Sequence, residues 1–265
     1  MSPQFGPHRW SAGHHRNDDT ERFRGARFTV ADLSGARFVD CDLSGVKIVD
    51  GYLADVDVSG YVERLVVNGV DVTAYVESEL DRRHPERVQL REIGSAEGFR
   101  AMWTTIEQLW TATTARAERL PESLLHERVD DEWSFTETLR HLVFITDSWV
   151  NRTILDQETP YHQLALPQTA YSTEDAVALG MHVTATPPYA EVLAAREDRM
   201  KLVRDLLTPL TDADLGRPCH RSPAPGYPEG PRPVAECLAV VMGEEIDHHR
   251  YATRDLTVLE SRHTP

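Results

Sequence analysis

The sequence predicts an α+β chain of two modules, a short repeat unit followed by a helical bundle. Two observations carry this. A large apolar residue recurs at every fifth position from Phe23 to Val58, and four amphipathic segments of helical period occupy the chain from Ala96 onward. A third observation says where chemistry is expected. In Gly243-Glu244-Glu245-Ile246-Asp247-His248-His249-Arg250-Tyr251, Glu244 and His248 stand four residues apart, so on a helix they share one face. That face is otherwise apolar, with Val234, Cys237, Leu238 and Val241 before them. Burying either polar group alone costs several kcal/mol, so each needs a partner, and a metal ion is one candidate.

At 265 residues the chain is long enough for a sizeable core, in one large domain or two smaller ones. A net charge of -15 argues against nucleic acid or an anionic membrane as the main partner, since both call for basic patches. The longest apolar runs, such as Cys237 to Met242, are too short to span a bilayer, and the N-terminus lacks the apolar core of a secretion signal. A cytoplasmic location is therefore expected. Cys41, Cys219 and Cys237 form neither a disulfide framework nor a C-x-x-C spacing, which suits a reducing compartment. Arginine outnumbers lysine 26 to 2, which we read as the codon bias of a GC-rich genome.

Residues 1–20 show no periodicity and read as a flexible tail, whose His8, His14 and His15 are solvated side chains rather than ligands. The five-residue repeat occupies residues 21–72. Its large positions are Phe23, Phe28, Leu33, Phe38, Leu43, Ile48, Leu53 and Val58, and Ala26, Ala31, Ala36 and Cys41 stand two places before large partners. Neither a helix nor a flat strand has this period. Ala31-Asp32-Leu33-Ser34-Gly35 and Cys41-Asp42-Leu43-Ser44-Gly45 resemble the pentapeptide-repeat family. The resemblance implies a short right-handed quadrilateral β-helix, four repeats to a coil, with large and small residues inward and Cys41 inside. Later repeats drift to Val46, Gly51 and Val56 at the small position. Roughly eight repeats make about two coils, whose ends need neighbours to cover them. The unit reads as a structural cap or interaction module, too short to imitate duplex DNA as long rods of the family can.

Residues 73–92 connect the modules. Val66-Val67-Asn68-Gly69-Val70-Asp71-Val72 holds an Asn-Gly turn signal, and Thr73 is placed to cap a short helix through Arg83 that His84-Pro85 ends.

The bundle occupies residues 93–265. Its first helix, from Ala96 to Arg119, has the stripe Phe99, Met102, Trp103, Ile106, Leu109, Trp110 and Thr113, whose tryptophans read as core. The second opens on the capping-box pattern Ser134-Phe135-Thr136-Glu137 and runs to Leu155, with Thr138, His141, Leu142, Ile145, Trp149 and Arg152 inward. The third follows Thr186-Pro187-Pro188 and has the stripe Tyr189, Val192, Met200, Val203, Leu206 and Leu207. The fourth starts near Pro233. Between the last two lies Thr208 to Arg232, about 25 residues rich in proline and glycine, read either as a lid or as a surface excursion. Within it, Cys219 and His220 read as exposed loop residues, with the mouth of the site as the alternative.

His141 completes a two-histidine, one-carboxylate set with Glu244 and His248, contributed by two helices, which suits a divalent metal with open positions. Glu245 and His249 form a competing pair at the same spacing. Glu244 and His248 align better with Val234, Cys237 and Val241, leaving Glu245 and His249 to the side as rim groups or partners of the ligands. Asp247 and Arg250 are expected to face solvent. Cys237 could approach the metal but reads better as a small core residue, and Tyr251 is a further pocket candidate. No catalytic residue beyond the ligands is assigned.

Trp133-Ser134-x-x-Glu137-x-x-Arg140-His141-Leu142, with Glu244-Glu245-x-x-His248-His249-x-Tyr251-Ala252-x-Arg254-Asp255-Leu256, resembles the DinB-like superfamily of YfiT-type hydrolases, mycothiol-dependent maleylpyruvate isomerase and bacillithiol transferases. The resemblance covers roughly Val88 to the C-terminus and implies an up-down four-helix bundle holding one metal. Glu244 stands where the commonest form has histidine, a departure shared with the mycothiol-dependent isomerase. The implied function is a metal-dependent S-transferase for a low-molecular-weight thiol, with a metal-dependent hydrolase or a non-catalytic interaction protein with a structural metal as alternatives. Zinc is the first expectation, and nickel, iron and manganese also suit the set. The expected partners are a small-molecule thiol such as mycothiol and an electrophilic substrate, with no nucleic acid and no membrane; a homodimer is compatible with such a bundle.

Overall fold

The backbone of residues 23–60 keeps the five-residue period of its side chains. Gly25, Val30, Gly35, Gly45, Asp50, Asp55 and Gly60 all have positive φ, a left-handed corner at every described fifth position. Backbone N–H groups of Ala26, Ala36 and Val46 donate to the carbonyls of Phe23, Leu33 and Leu43 at 2.9, 3.0 and 3.1 Å. These observations come from a computed structural model that describes residues 23–38, 41–169, 171–227 and 230–263. The tail with His8, His14 and His15 lies outside the described residues.

The closed β-helix expected for this module is not formed among the described residues, whose strands are two short antiparallel pairs outside the repeats. The large repeat residues stay about half exposed, from 48% at Leu43 to 66% at Ile48. Cys41, expected inside, is exposed. The physical reason is the shortness of the unit: with about two coils, each large residue has at most one stacked neighbour and an uncovered side.

The repeats end in β1 (Val66–Val67) and β2 (Val70–Asp71), paired with Val67 opposite Val70 around Asn68 at φ 49 and Gly69 at φ 83. Next come α1 (Thr73–Arg83) and α2 (Pro85–Arg91), the latter not anticipated, with Pro85 in its first turn. Thr73 does not cap α1. Its hydroxyl accepts the N–H of Leu65 at 2.9 Å and fastens the helix to the hairpin instead. Arg87 reaches back to Glu77 at 2.7 Å and Asp81 at 3.2 Å, holding α2 against α1.

Four long helices follow, α3 (Ala96–Ala117), α5 (Phe135–Thr146), α7 (Tyr189–Leu207) and α9 (Val234–His263), with the short α4 (Glu122–Leu125), α6 (Thr173–Ala178) and α8 (Asp212–Leu215) in the connections. Local chemistry sets their starts. Ser95 accepts the N–H of Gly98 at 3.1 Å at the head of α3. At α5 the capping box is complete, with Ser134 and Glu137 each accepting the other's backbone N–H. Glu122 of α4 accepts the N–H of Tyr189 at 2.9 Å, just after Pro188.

Each long helix packs on two others, α3 on α7 and α9, and α5 on the same two, so the four close a bundle. Met102, Ile106, Leu142, Val192, Val203, Leu238 and Val241 meet inside with no exposed surface. Each such side chain contributes about 1.5–3 kcal/mol over an exposed one. The helix of α5 continues past Thr146 as a π-helical segment, Asp147–Ile154. There the buried Asp147 carboxylate accepts from Arg199 Nε at 2.6 Å, Asn151 Nδ2 at 2.9 Å and the His162 N–H at 2.8 Å. No helix among the described residues is long and apolar enough to cross a membrane.

Candidate metal centre

His141 projects from the middle of α5, and Glu244 and His248 from successive turns of α9, which packs against it. One ligand atom from each lies within 4.8 Å of the other two. Glu244 Oε2 is 3.5 Å from His141 Nε2 and 3.2 Å from His248 Nε2. The side chain of His141 is 5% exposed, those of His248 and Glu244 17% and 24%, so solvent reaches the group from the α9 side.

The other ring nitrogen of His141 is occupied. Nδ1 donates to the carbonyl of Leu166 at 3.0 Å, which fixes the tautomer and leaves the Nε2 lone pair toward Glu244 and His248. Leu166 is held there by the neighbouring Arg140. The buried Arg140 guanidinium gathers the carbonyls of Leu164, Ala185 and His182 at 2.8, 2.7 and 2.8 Å, while its own carbonyl accepts the Leu166 N–H at 3.1 Å. One residue of the Arg140-His141 pair anchors the connection, and the other uses it.

Burial pushes the pKa of His141 down, keeping the imidazole neutral and its lone pair available. For Glu244, burial works to raise the pKa, but the two imidazoles beside it, those of His141 and His248, outweigh it and hold the carboxyl at about 2. Two imidazoles and a carboxylate are a donor set that suits zinc, nickel, iron or manganese, and the anchored far nitrogen of His141 is what a ligating histidine requires. These residues fit a divalent ion.

Sequence reasoning gave no role to Trp133. Its ring lies 4.5 Å from that of His141 at 44° and stacks on His248 at 5.8 Å and 20°. The available signal was its position just before the Ser134 cap, where an apolar residue fixes the entry of the chain into the helix. Tyr251 stands edge-on to His248 at 6.2 Å, with Arg250 and Arg254 over its ring. Of its neighbours, Asp247 is exposed and Arg250 is partly covered.

Glu245 and His249 are not rim groups. Glu245 has no exposed surface and pairs with the buried Arg196 of α7. His249 Nε2 lies 2.8 Å from the Thr113 hydroxyl of α3, and its ring is edge-on to Trp110 at 5.3 Å. A helix turns about 100° per residue, which carries this pair away from α5 into the bundle. Cys237 is a core residue, its thiol pushed up to about 12 by burial. Cys219 corrects the expectation of exposure: β3 (Pro218–Cys219) pairs with β4 (Arg232–Pro233), and Cys219 is buried while His220 is exposed. The segment from Thr208 to Arg232 is thereby closed at its base. Tyr161 and Tyr171 donate their hydroxyls to the carbonyls of Pro223 and Pro225 at 2.7 and 3.3 Å, and the buried Tyr227 donates to Gln168 at 3.1 Å.

Residues 105–252, more than half of the chain, match the family model described as the DinB superfamily, and residues 22–60 match eight copies of the pentapeptide repeat. No curated protein and no solved structure matches the chain.

Proposed function

The chain belongs to the DinB superfamily, and from that premise we propose that it is a metal-dependent enzyme in which His141, Glu244 and His248 hold one divalent ion, zinc first, and which transfers a low-molecular-weight thiol of mycothiol type to an electrophile. The observation that carries the reading is the convergence of three ligand atoms within 4.8 Å from two helices. A bound divalent ion lowers the pKa of a thiol or water that it contacts. His141 offers Nε2 while Leu166 fixes its ring, and Glu244 adds a negative charge that favours the cation. Trp133 covers both imidazoles on one side, leaving approach from the side where Glu244 and His248 are accessible. In the transfer, the thiol gives its proton to solvent at that opening, its sulfur forms the new bond to the electrophilic carbon, and the bond from that carbon to its leaving group breaks, the group departing with the electron pair as an anion such as halide. Glutamate at position 244, as in the mycothiol-dependent isomerase, favours thiol chemistry. The absence of a disulfide framework in the spacing of Cys41, Cys219 and Cys237 suits a reducing compartment in which such a thiol is kept.

For residues 22–60 we read a structural cap or interaction module, supported by the match to eight pentapeptide repeats and the left-handed corner at every described fifth residue.

Elemental analysis of untagged protein, followed by incubation with a mycothiol-type thiol and a chromogenic aryl halide, tests the function. The expected result is bound metal and metal-dependent loss of free thiol. Metal-loaded protein that hydrolyses an activated ester and leaves the thiol untouched would replace the transferase by a hydrolase. Metal-loaded protein inert in both assays would leave a structural metal in an interaction protein.

A further inference from the structure

The turn before α5 is strained and held from two sides. Asp130 at φ 54 and Asp131 at φ 61 are consecutive left-handed residues without being glycine, a backbone that persists only where its surroundings impose it. From the repeat module, Arg37 donates to the Asp130 carbonyl, and its guanidinium lies 3.6 Å from the Asp130 carboxylate and 3.8 Å from that of Asp131. From α9, Arg254 binds Glu132 at 2.7 Å while lying over the ring of Tyr251, which stands against His248. The next residue is Trp133, whose indole touches both imidazoles of the proposed metal centre.

We propose that Trp133 is a positioning residue for the metal centre, setting the ring planes of His141 and His248, and that the repeat module acts on the centre through the hold of Arg37 on the turn that delivers it. This rests on the metal-centre reading above. The indole is packed on two ligand rings at once, so each imidazole loses freedom to rotate out of the arrangement in which its Nε2 faces Glu244. Arg37 is about half exposed and both aspartates are largely so, so its contribution is modest and sensitive to salt.

The test uses full-length metal-free protein and cobalt(II), read by visible absorption and tryptophan emission. Trp133→Ala is expected to weaken cobalt binding about 10–100-fold, the usual range for groups that orient ligands, and to remove most of the metal-dependent change in emission. Trp133→Phe, which keeps an aromatic face, is expected to recover most of the affinity, which a merely space-filling role would not require. If Trp133→Ala loses its helical signal, Trp133→Leu takes its place. Arg37→Glu, which sets a third negative charge against two carboxylates, is expected to weaken binding about two- to fivefold at low salt. Wild-type protein that binds no cobalt overturns the metal reading together with this inference. Cobalt affinity unchanged in Trp133→Ala overturns the positioning role alone, and affinity unchanged in Arg37→Glu overturns the coupling to the repeat module.

Discussion

Two glutamate–histidine pairs stand one residue apart on α9 and meet opposite surroundings. Glu244 and His248 turn toward α5, where His141 waits beside an opening to solvent; Glu245 and His249 turn toward α7 and α3, where Arg196 and Thr113 receive them in the dry interior. The spacing is the same, so it can only say that each pair shares a face. The neighbouring helix decides whether the pair becomes a place for a ligand or a strut of the core.

The comparison can be broken most forcefully on the first face. His141→Ala is expected to lose most bound metal, measured by elemental analysis, with its far-ultraviolet dichroism unchanged; full occupancy in that variant would abolish the distinction between the faces. On the second face the expected loss is stability. Glu245→Ala leaves the Arg196 guanidinium buried without its partner, at a cost of about 3–5 kcal/mol in denaturant unfolding. Metal stoichiometry of the remaining folded protein should be unaffected, and replacing both members by apolar residues of similar volume should restore much of the loss. His249→Ala removes the contact with Thr113 and is expected to cost about 1–3 kcal/mol in the same experiment, again with metal retained.

The effect that is smallest at neutral pH involves the covered tyrosines of the bundle. Burial pushes Tyr171 and Tyr189 up to about 12 and raises Tyr161, Tyr227 and Tyr251 as well. Because the folded values lie above the ordinary value of 10.0, this stability is fully present below pH 10 and is lost as pH climbs from there toward 12 and beyond. Tyrosinate absorbance from these five should rise together with loss of helical dichroism. Ionisation of all of them before any helix melts would show that they are not buried as the packing requires.

Much of the bundle was legible because apolar spacing and capping residues speak locally. Ser134 with Glu137, and the stripe from Phe99 to Thr113, place their helices without reference to anything distant. The three candidate ligands were legible for the same reason, being polar residues on apolar stripes. Arg196 was hidden by its charge. It stands four residues after Val192, on the buried stripe, yet an arginine there reads as solvated until Glu245 is known to face it. Trp133 was hidden by geometry, since the rings it contacts, those of His141 and His248, lie on two different helices, and it follows two left-handed aspartates that no spacing announces. In the repeats the period was legible and the closure was not, because closure depends on stacked neighbours that a short unit does not supply.

The corners of the repeat module bear on how such a chain can change in length. With left-handed residues at 25, 30, 35, 45, 50, 55 and 60, the backbone itself keeps count in fives. An insertion or deletion of any other size would throw every later corner out of phase, forcing β-branched residues into a conformation they resist. Val30 already occupies such a corner, at φ 53. Growth and loss in this module are therefore quantised, and indels in steps of five can lengthen or shorten it while the hairpin at Val66 and the helices beyond it keep their register.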